Sequence, residues 1–563
     1  MANARDTWLW PLAAVALVAA GIGLVGGFDL LGTHLPLSDE FFFRWSIERT
    51  VASGQLRLWP GALPLSLVQI AAALPVAALT PDAALLRLTV LPFVGLEAAF
   101  SWLLARRLGA DRFWAGVAAA LLPSAPIAMA VATGLMSDTA YVALLLGALY
   151  FGLRWVQEGR GLPACVAFAV LATLQRQHGV LIPVALTVAV LVGRRRPAPG
   201  MGDRARQRTP GAAGGPMSGV AAGAAPGMAG RGLAILWTGV LAALALPPLA
   251  GLRTETMAAN VDPAILGRGL VNLFGALVTV PVVLGLFLIP LAVALLDRPN
   301  SGAERSRWDL PPVCVGVSAL CAAAVFALHF GVMVFPGDVF GSWGLGQVHL
   351  AGDKPSAWPP GVFTILTLLA LATTAMLLLW RRRDLRPTRL GPAGVLMVVA
   401  ALTQAAPMFL TTGEDRYDLP VVAPLVPLLA AWASRPGRRL ARPARAWALL
   451  AVVAGMVFYV RGEWDYQAWQ VARDAAARQA YQTLAPNRVD AGFEAVGRYV
   501  AIPAVDATGR LPGGLRGMSL LAPDAVLELA PACDRRPGIG YGGPAPGKVV
   551  LVDLRGARPA GGC

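Results

Sequence analysis

The chain has 563 residues, of which 56% are hydrophobic and only 14% charged, with a mean hydropathy of +0.61. A soluble protein of this size carries about 25% charged residues, so a soluble globular enzyme is excluded. The formal charge of +15 does not point to nucleic acid, because the arginines stand in short clusters between apolar blocks, where they set membrane orientation, and no basic stripe interleaves with aromatics.

The apolar residues recur in blocks of roughly 18–28, long enough to span a bilayer. The alternating ten-residue runs of a barrel are absent. The fold class is therefore an all-α polytopic membrane protein. Five cysteines are too few for a disulfide framework. Cys165, Cys314 and Cys321 lie in apolar blocks as packed thiols. Cys533 and Cys563 lie in the tail and can pair if that tail sits in an oxidising compartment.

In chain order, the first apolar run is Trp8 to Phe28, behind Arg5. It is too long for a signal-peptide core and predicts a retained helix with its N-terminus in the cytoplasm. Inside it, Gly21-Ile22-Gly23-Leu24-Val25-Gly26 matches a dinucleotide-binding spacing. No strand precedes it and no amphipathic helix follows, so close helix packing explains it better. Residues 28–81 form a first external segment, in which Ser38-Asp39-Glu40 leads into an aromatic, amphipathic run ending at Trp59-Pro60. That run predicts helices lying in the membrane interface. Leu63–Leu79, with two prolines and no basic residue at its far end, is expected at the membrane surface or partly inserted.

Beyond it the blocks alternate between inner and outer sides. Ala83–Leu104 ends at Arg106-Arg107, and Phe113–Val131 returns to Gly134-Leu135-Met136-Ser137-Asp138. Thr139–Leu153 goes back to Arg154 and Arg160. Leu162–Val192 begins and ends at cytoplasmic arginines, so it crosses an even number of times. Its polar middle, Gln175-Arg176-Gln177-His178-Gly179, falls at the outer face between two short helices. Residues 194–231 are a Gly/Ala/Pro/Met-rich cytoplasmic linker of disordered composition. Leu233–Leu249, Leu270–Leu296, Val313–Phe335, Phe363–Trp380, Val395–Leu410, Leu419–Trp432 and Trp447–Val460 continue the alternation. The expected total is about thirteen crossings, with the C-terminus outside. The transmembrane domain then covers residues 1–461, and residues 462–563 form a small α/β extracytoplasmic tail. An amphipathic helix is expected at Trp469–Leu484 and strands at Ala525–Leu529 and Val549–Leu554.

This topology gathers Asp39, Glu40, Asp138, Arg176, His178, Glu414, Asp415 and Arg416 on one face, each next to a helix end. Arginine grips phosphate in a bidentate manner, and a carboxylate can deprotonate an acceptor hydroxyl. An apolar groove between helices suits a lipid tail. Structural roles compete: Asp138 can cap the following helix, Arg176 and Arg416 can snorkel to the interface, and His178 can be a satisfied polar contact. Asp338, His349 and Asp353 are too loosely spaced to predict a metal site.

The pattern resembles the GT-C fold glycosyltransferases, close to the protein-O-mannosyltransferase and aminoarabinose-transferase-like group. Asp39-Glu40 after the first helix, Ser137-Asp138 in the second external loop and the Arg176–Gly179 break carry the resemblance. So do Asp415-Arg416-Tyr417 before a proline-rich helix (Pro420, Pro424, Pro427) and the tail segment Asp490-Ala491-Gly492-Phe493-Glu494. It implies inverting transfer of a sugar from a polyprenyl phosphate, undecaprenyl or related, to a hydroxyl of a glycolipid, polysaccharide or protein. It also implies a multi-pass protein of the bacterial cytoplasmic membrane. In that comparison Asp39 is the catalytic base, with Glu40 and Asp138 positioning acceptor or donor. Arg176 and Arg416 hold the donor phosphate, and His178, Glu414, Asp415 and Tyr417 contact substrate. Some relatives place a lysine near the phosphate in the first loop; this chain has none there, and Arg57 is its substitute. No metal or other cofactor is expected to be essential.

Two other functions are open to the sequence. A transporter or flippase of lipid-linked sugars should carry polar residues at the bilayer midplane and inverted repeats, which are not evident. A non-catalytic envelope assembly protein would use the tail as its interaction module.

Overall fold

The computed structural model describes residues 39–60, 66–194 except 81, 226–249, 279–296, 362–380, 387–409, 415–434 and 441–511, with parts of 340–359 and 515–553 and scattered helical positions between 12 and 23. Among these residues four helices are long and apolar enough to cross a membrane, and a bent pair makes a fifth. The chain is an integral membrane protein. Most of the expected first helix, the linker up to residue 225, the block Val313–Phe335 and Glu414 lie outside the described residues.

The interfacial helix runs Glu40–Ser53. Glu40 in its first turn complements the partial positive charge of the helix N-terminus, and Gly54, at φ 64, closes it in the left-handed conformation that glycine adopts without cost. It buries Phe41, Phe43 and Ile47. The chain then folds back, with the Trp59 N–H donating to Ser46 Oγ at 2.9 Å. A second short helix, Leu67–Leu79, begins at Ser66, whose φ of 49 is the one positive value at a non-glycine among the described residues.

Leu85–Arg107 and Ser137–Glu158 are the best-buried spans. Between them Arg112–Ser124 and Pro126–Thr133 meet at a 54° bend. Proline forces the residue before it out of the helical region, and Ala125 is extended at ψ 139. Helix Leu162–Gln175 stops at the extended Arg176, passes through a 3-10 turn at Gln177–Leu181 and resumes as Ile182–Arg194. Gly179 permits this break: a Cβ there would sit 2.4 Å from the Thr173 backbone nitrogen. The helix after the linker starts at Pro226, earlier than the expected Leu233. Pro387–Ala405 likewise starts ahead of Val395, kinked at Gly391.

The largest departure from expectation is at the tail. The last crossing and the expected Trp469–Leu484 helix are one continuous helix, Ala441–Tyr481, of 41 residues. At 1.5 Å per residue it is about 61 Å long, roughly twice a bilayer core. No helix break therefore marks the junction at residue 461. Its C-terminal half packs Trp469, Ala472 and Ala476 against Leu527, Leu529 and Val549 of a sheet. Strands Ala525–Pro531, Gly547–Asp553 and Gly538–Tyr541 pair antiparallel in that order. Val489–Asp490 pairs parallel to the first of them. So does Ala351–Gly352, which precedes helix Val362–Trp380 in the chain, so the strands of this sheet are not all drawn from residues 462–563. Arg473 and Glu494 form an ion pair of 2.8 Å in its core, both fully buried. Cys533, in the turn before Gly538–Tyr541, is disulfide-bonded.

An aromatic cluster ties the interfacial helix to the tail. Phe41 meets Trp59 at 5.8 Å and Phe493 at 5.4 Å between ring centroids. Gly497 makes room for it, since a Cβ there would lie 2.7 Å from the Phe41 ring.

Candidate functional site

Three helix ends converge where the interfacial helix begins. The first is Asp39, the N-cap of Glu40–Ser53, whose own backbone carbonyl accepts from the Phe42 N–H at 3.0 Å. The second is Ser137-Asp138, in the first turn of Ser137–Glu158. The third is the 3-10 turn Asp415–Asp418, which leads into the proline-rich helices Leu419–Val422 and Leu425–Ala433. Arg176, at the break described above, completes the set.

Arg416 donates from Nη2 to Asp39 Oδ2 at 2.8 Å. The Arg416 side chain is 4% exposed, whereas Asp39 is 25% exposed. Arg176 donates from Nε and Nη2 to Ser137 Oγ at 3.0 and 2.8 Å. Its Nη2 also lies 2.9 Å from Asp138 Oδ2, with Asp138 fully buried. Tyr417 joins the two pairs. Its ring centroid is 5.4 Å from Arg176 Cζ and 5.3 Å from Arg416 Cζ, within the range of a cation–π attraction. The result is a row of Asp39, Arg416, Tyr417, Arg176 and Asp138, two arginines balanced by two carboxylates. The open end of the row is Asp39.

Hydrogen bonds to backbone set the floor under the row. The Gln175 carbonyl accepts from the Ser66 N–H, and Gln175 Oε1 accepts from the Gln69 N–H, both at 3.1 Å. Gln175 Nε2 donates to the Ser137 carbonyl at 3.1 Å. The left-handed Ser66 thus sits where the interfacial segment touches the Arg176 break, and strained backbone often collects at functional sites.

The other expected residues take different places. Glu40 turns its carboxylate inward, within 3.0 and 3.1 Å of Arg87 Nε, and both side chains are buried. Arg87 also interacts electrostatically with Glu463 of the long helix, whose Oε1 accepts from Gln467 at 2.7 Å. His178 faces the Tyr141 ring at 6.5 Å, and its carbonyl accepts from Gln404 Nε2 at 3.5 Å. Asp415 opens the 3-10 turn, and Glu414 lies outside the described residues. Arg57 is not brought to the row. Its backbone N–H donates to Thr50 Oγ1 at 3.0 Å, and Thr50 is eleven residues, or about 16 Å, along the helix from Asp39. No group of three or more His, Cys, Asp or Glu side chains that could hold a metal occurs among the described residues.

Sequence reasoning missed Arg87, which sits inside an apolar block. The signal was available: an arginine in a membrane segment is costly and faces a partner. Gln69 and Gln404 carried no comparable signal.

No protein-family model matches the chain, and no curated protein matches it. Among solved structures it is similar to ArnT from Cupriavidus metallidurans bound to undecaprenyl phosphate, at 12% identity and a TM-score of 0.46, over 95% of this chain and 97% of that one. The apo state of the same protein is similar at 15% identity and a TM-score of 0.39, with the same coverages. These likenesses assign no role to any residue.

Proposed function

We propose that the chain transfers a sugar from a polyprenyl-phosphate donor to an acceptor hydroxyl on the outer face of the membrane, with inversion. The observation that carries this reading is the Arg416–Tyr417–Arg176 set, beside a carboxylate that is the least buried charged group of the row. Two guanidinium groups match a phosphate. Asp39 takes the proton of the acceptor hydroxyl as general base. The hydroxyl oxygen attacks the anomeric carbon from the face opposite the phosphate. The bond from that carbon to the phosphate oxygen breaks, and the electron pair leaves with the polyprenyl phosphate. The arginines stabilise the charge gained there, in surroundings where such stabilisation is worth more than in water.

Asp138 holds Arg176 from behind, and Glu40 with Arg87 fixes the start of the interfacial helix. The apolar helices below the row suit the polyprenyl chain. The span Ser137–Glu158, with Asp138 at one end, supports this orientation. At the other end Gln157 accepts from Arg107 at 2.7 Å, about 30 Å away at the rise of a helix. Arginines at that far end mark the cytoplasm, and the Cys533 disulfide suits a tail in an oxidising compartment. The thirteen or so crossings expected from the sequence are compatible with this orientation.

The test is sugar transfer by purified protein from a panel of labelled polyprenyl-phosphate sugars, wild type against Asp39→Asn. Transfer or donor hydrolysis that disappears in the variant, with the fold intact, supports the reading. No recognition of any polyprenyl-phosphate sugar counts against it.

A further inference from the structure

Arg57 belongs to a second groove, away from the row. The groove opens between the C-terminal half of the interfacial helix and the tail helix Ile502–Thr508, with a volume of about 490 Å³. Trp45, Arg49, Arg57, Pro60, Asp506 and Gly509 are among its walls. The charges in it do not cancel. Asp506 is engaged through both oxygens, by Trp45 Nε1 on Oδ1 at 2.9 Å and by Arg49 Nη2 on Oδ2. Arg57 is exposed, and its guanidinium makes one long hydrogen bond, Nη2 to Gln55 Oε1 at 3.4 Å. Among the described residues, the Arg57 charge in the groove wall therefore has no carboxylate hydrogen-bonded to it.

Apolar and aromatic side chains stand around this charge. Leu58, Pro60 and Val505 line the groove, and Leu56, next to Arg57 in the chain, is 40% exposed. Trp45, in the groove wall, is a residue type that concentrates at membrane–water interfaces. A bilayer lipid satisfies both features, with its phosphate on the arginine fork and its chains along the exposed apolar residues.

We propose that this groove binds the phosphate of an anionic diacyl phospholipid of the phosphatidylglycerol class, and that the lipid bridges the interfacial helix to the tail. The inference does not depend on the sugar-transfer reading, because it uses no residue of the row.

The experiment titrates the purified full chain with phosphatidylglycerol or phosphatidylcholine and counts bound lipids by native mass spectrometry. Wild type, Arg57→Gln and Arg57→Lys are compared. The surface position of Arg57 leaves the core packing untouched, and circular dichroism confirms the helical content of each variant. The expected result is a tight phosphatidylglycerol adduct weakened about fivefold in Arg57→Gln, with less loss in Arg57→Lys and no change for phosphatidylcholine. Equal phosphatidylglycerol affinity in wild type and Arg57→Gln overturns the proposal. So does displacement of the lipid by chain-free glycerol phosphate at equal concentration, which would make this a soluble-anion site. Loss of undecaprenyl-phosphate binding in Arg57→Gln would return Arg57 to the donor site and also overturn it.

Discussion

Arg416 and Asp39 are joined by a 2.8 Å hydrogen bond across 377 residues of sequence. The contact has a consequence for the order of events. The arginine that should receive the donor phosphate is held by the carboxylate that should act as base. Donor binding must draw Arg416 towards phosphate and release Asp39 for the acceptor. Removing the carboxylate therefore removes a competitor. Asp39→Asn is expected to lose transfer while binding polyprenyl phosphate as tightly as wild type, or tighter. Equilibrium binding of labelled undecaprenyl phosphate beside a turnover assay separates the two effects. Weaker binding in the variant would mean that Asp39 helps to hold the donor and does not compete with it.

Tyr417 contributes its ring. Cation–π contacts of this kind are worth roughly 0.5–2 kcal/mol, and two arginines share the ring. Tyr417→Leu should weaken donor binding between about 2- and 30-fold, while Tyr417→Phe keeps most of the affinity. An equal loss in both variants would assign the effect to the hydroxyl.

Glu40 and Arg87 form a buried pair, both side chains at 2% exposure or less. Breaking such a pair from one side costs about 3–5 kcal/mol, because a buried charge is left alone, whereas replacing both partners by apolar groups is often neutral. Arg87→Gln should lower the unfolding temperature in detergent, and Glu40→Leu with Arg87→Met should recover most of the loss. If the double variant is stable but inactive, Glu40 does more than position the interfacial helix.

Gly179 has no space for a side chain against the Thr173 backbone. Gly179→Ala must push apart the two arms of the break that carries Arg176, at a cost of roughly 1–3 kcal/mol for overpacking. Both thermal stability and donor affinity should fall. Unchanged donor affinity would show that the Arg176 position tolerates the shift.

In the tail, hydrogen bonds from the Arg536 guanidinium, and then from its backbone N–H, hold the Asp534 carboxyl below its ordinary range. A carboxylate lowered in the folded state adds stability that is present above its unfolded value of about 3.9 and is lost as pH falls through the folded value. Tail unfolding followed by tryptophan fluorescence should therefore ease as the pH drops below about 4. Asp534→Asn should flatten that dependence.

The parts of the site that could be read from the sequence share one property: each stands at a helix boundary. Asp39, Asp138, Arg176 and Arg416 interrupt or end apolar blocks, so alternation of sides was enough to group them. Pairing within the group was not legible, because side-chain partners depend on crossing geometry. Arg57 was assigned by loop membership, but the chain folds back over Thr50 and carries it to the other end of the interfacial helix. The continuity of the helix through residue 461 is illegible for a different reason. Hydropathy falls at Arg461-Gly462-Glu463, which suggested an end, yet Gly462 stays helical and is held against Leu345. The pairing of Ala351–Gly352 with Ala525–Pro531 rests on two residues and leaves no periodic signal.

The central claim is that Arg416 and Arg176 hold the donor phosphate. Its most direct test is equilibrium binding of undecaprenyl phosphate to wild type, Arg416→Gln and Arg176→Gln, each checked for intact fold. Hydrogen bonds to charged groups contribute about 1.5–3 kcal/mol, so each substitution should weaken binding about 10- to 150-fold. Affinity unchanged in both folded variants would place the phosphate elsewhere and contradict the account.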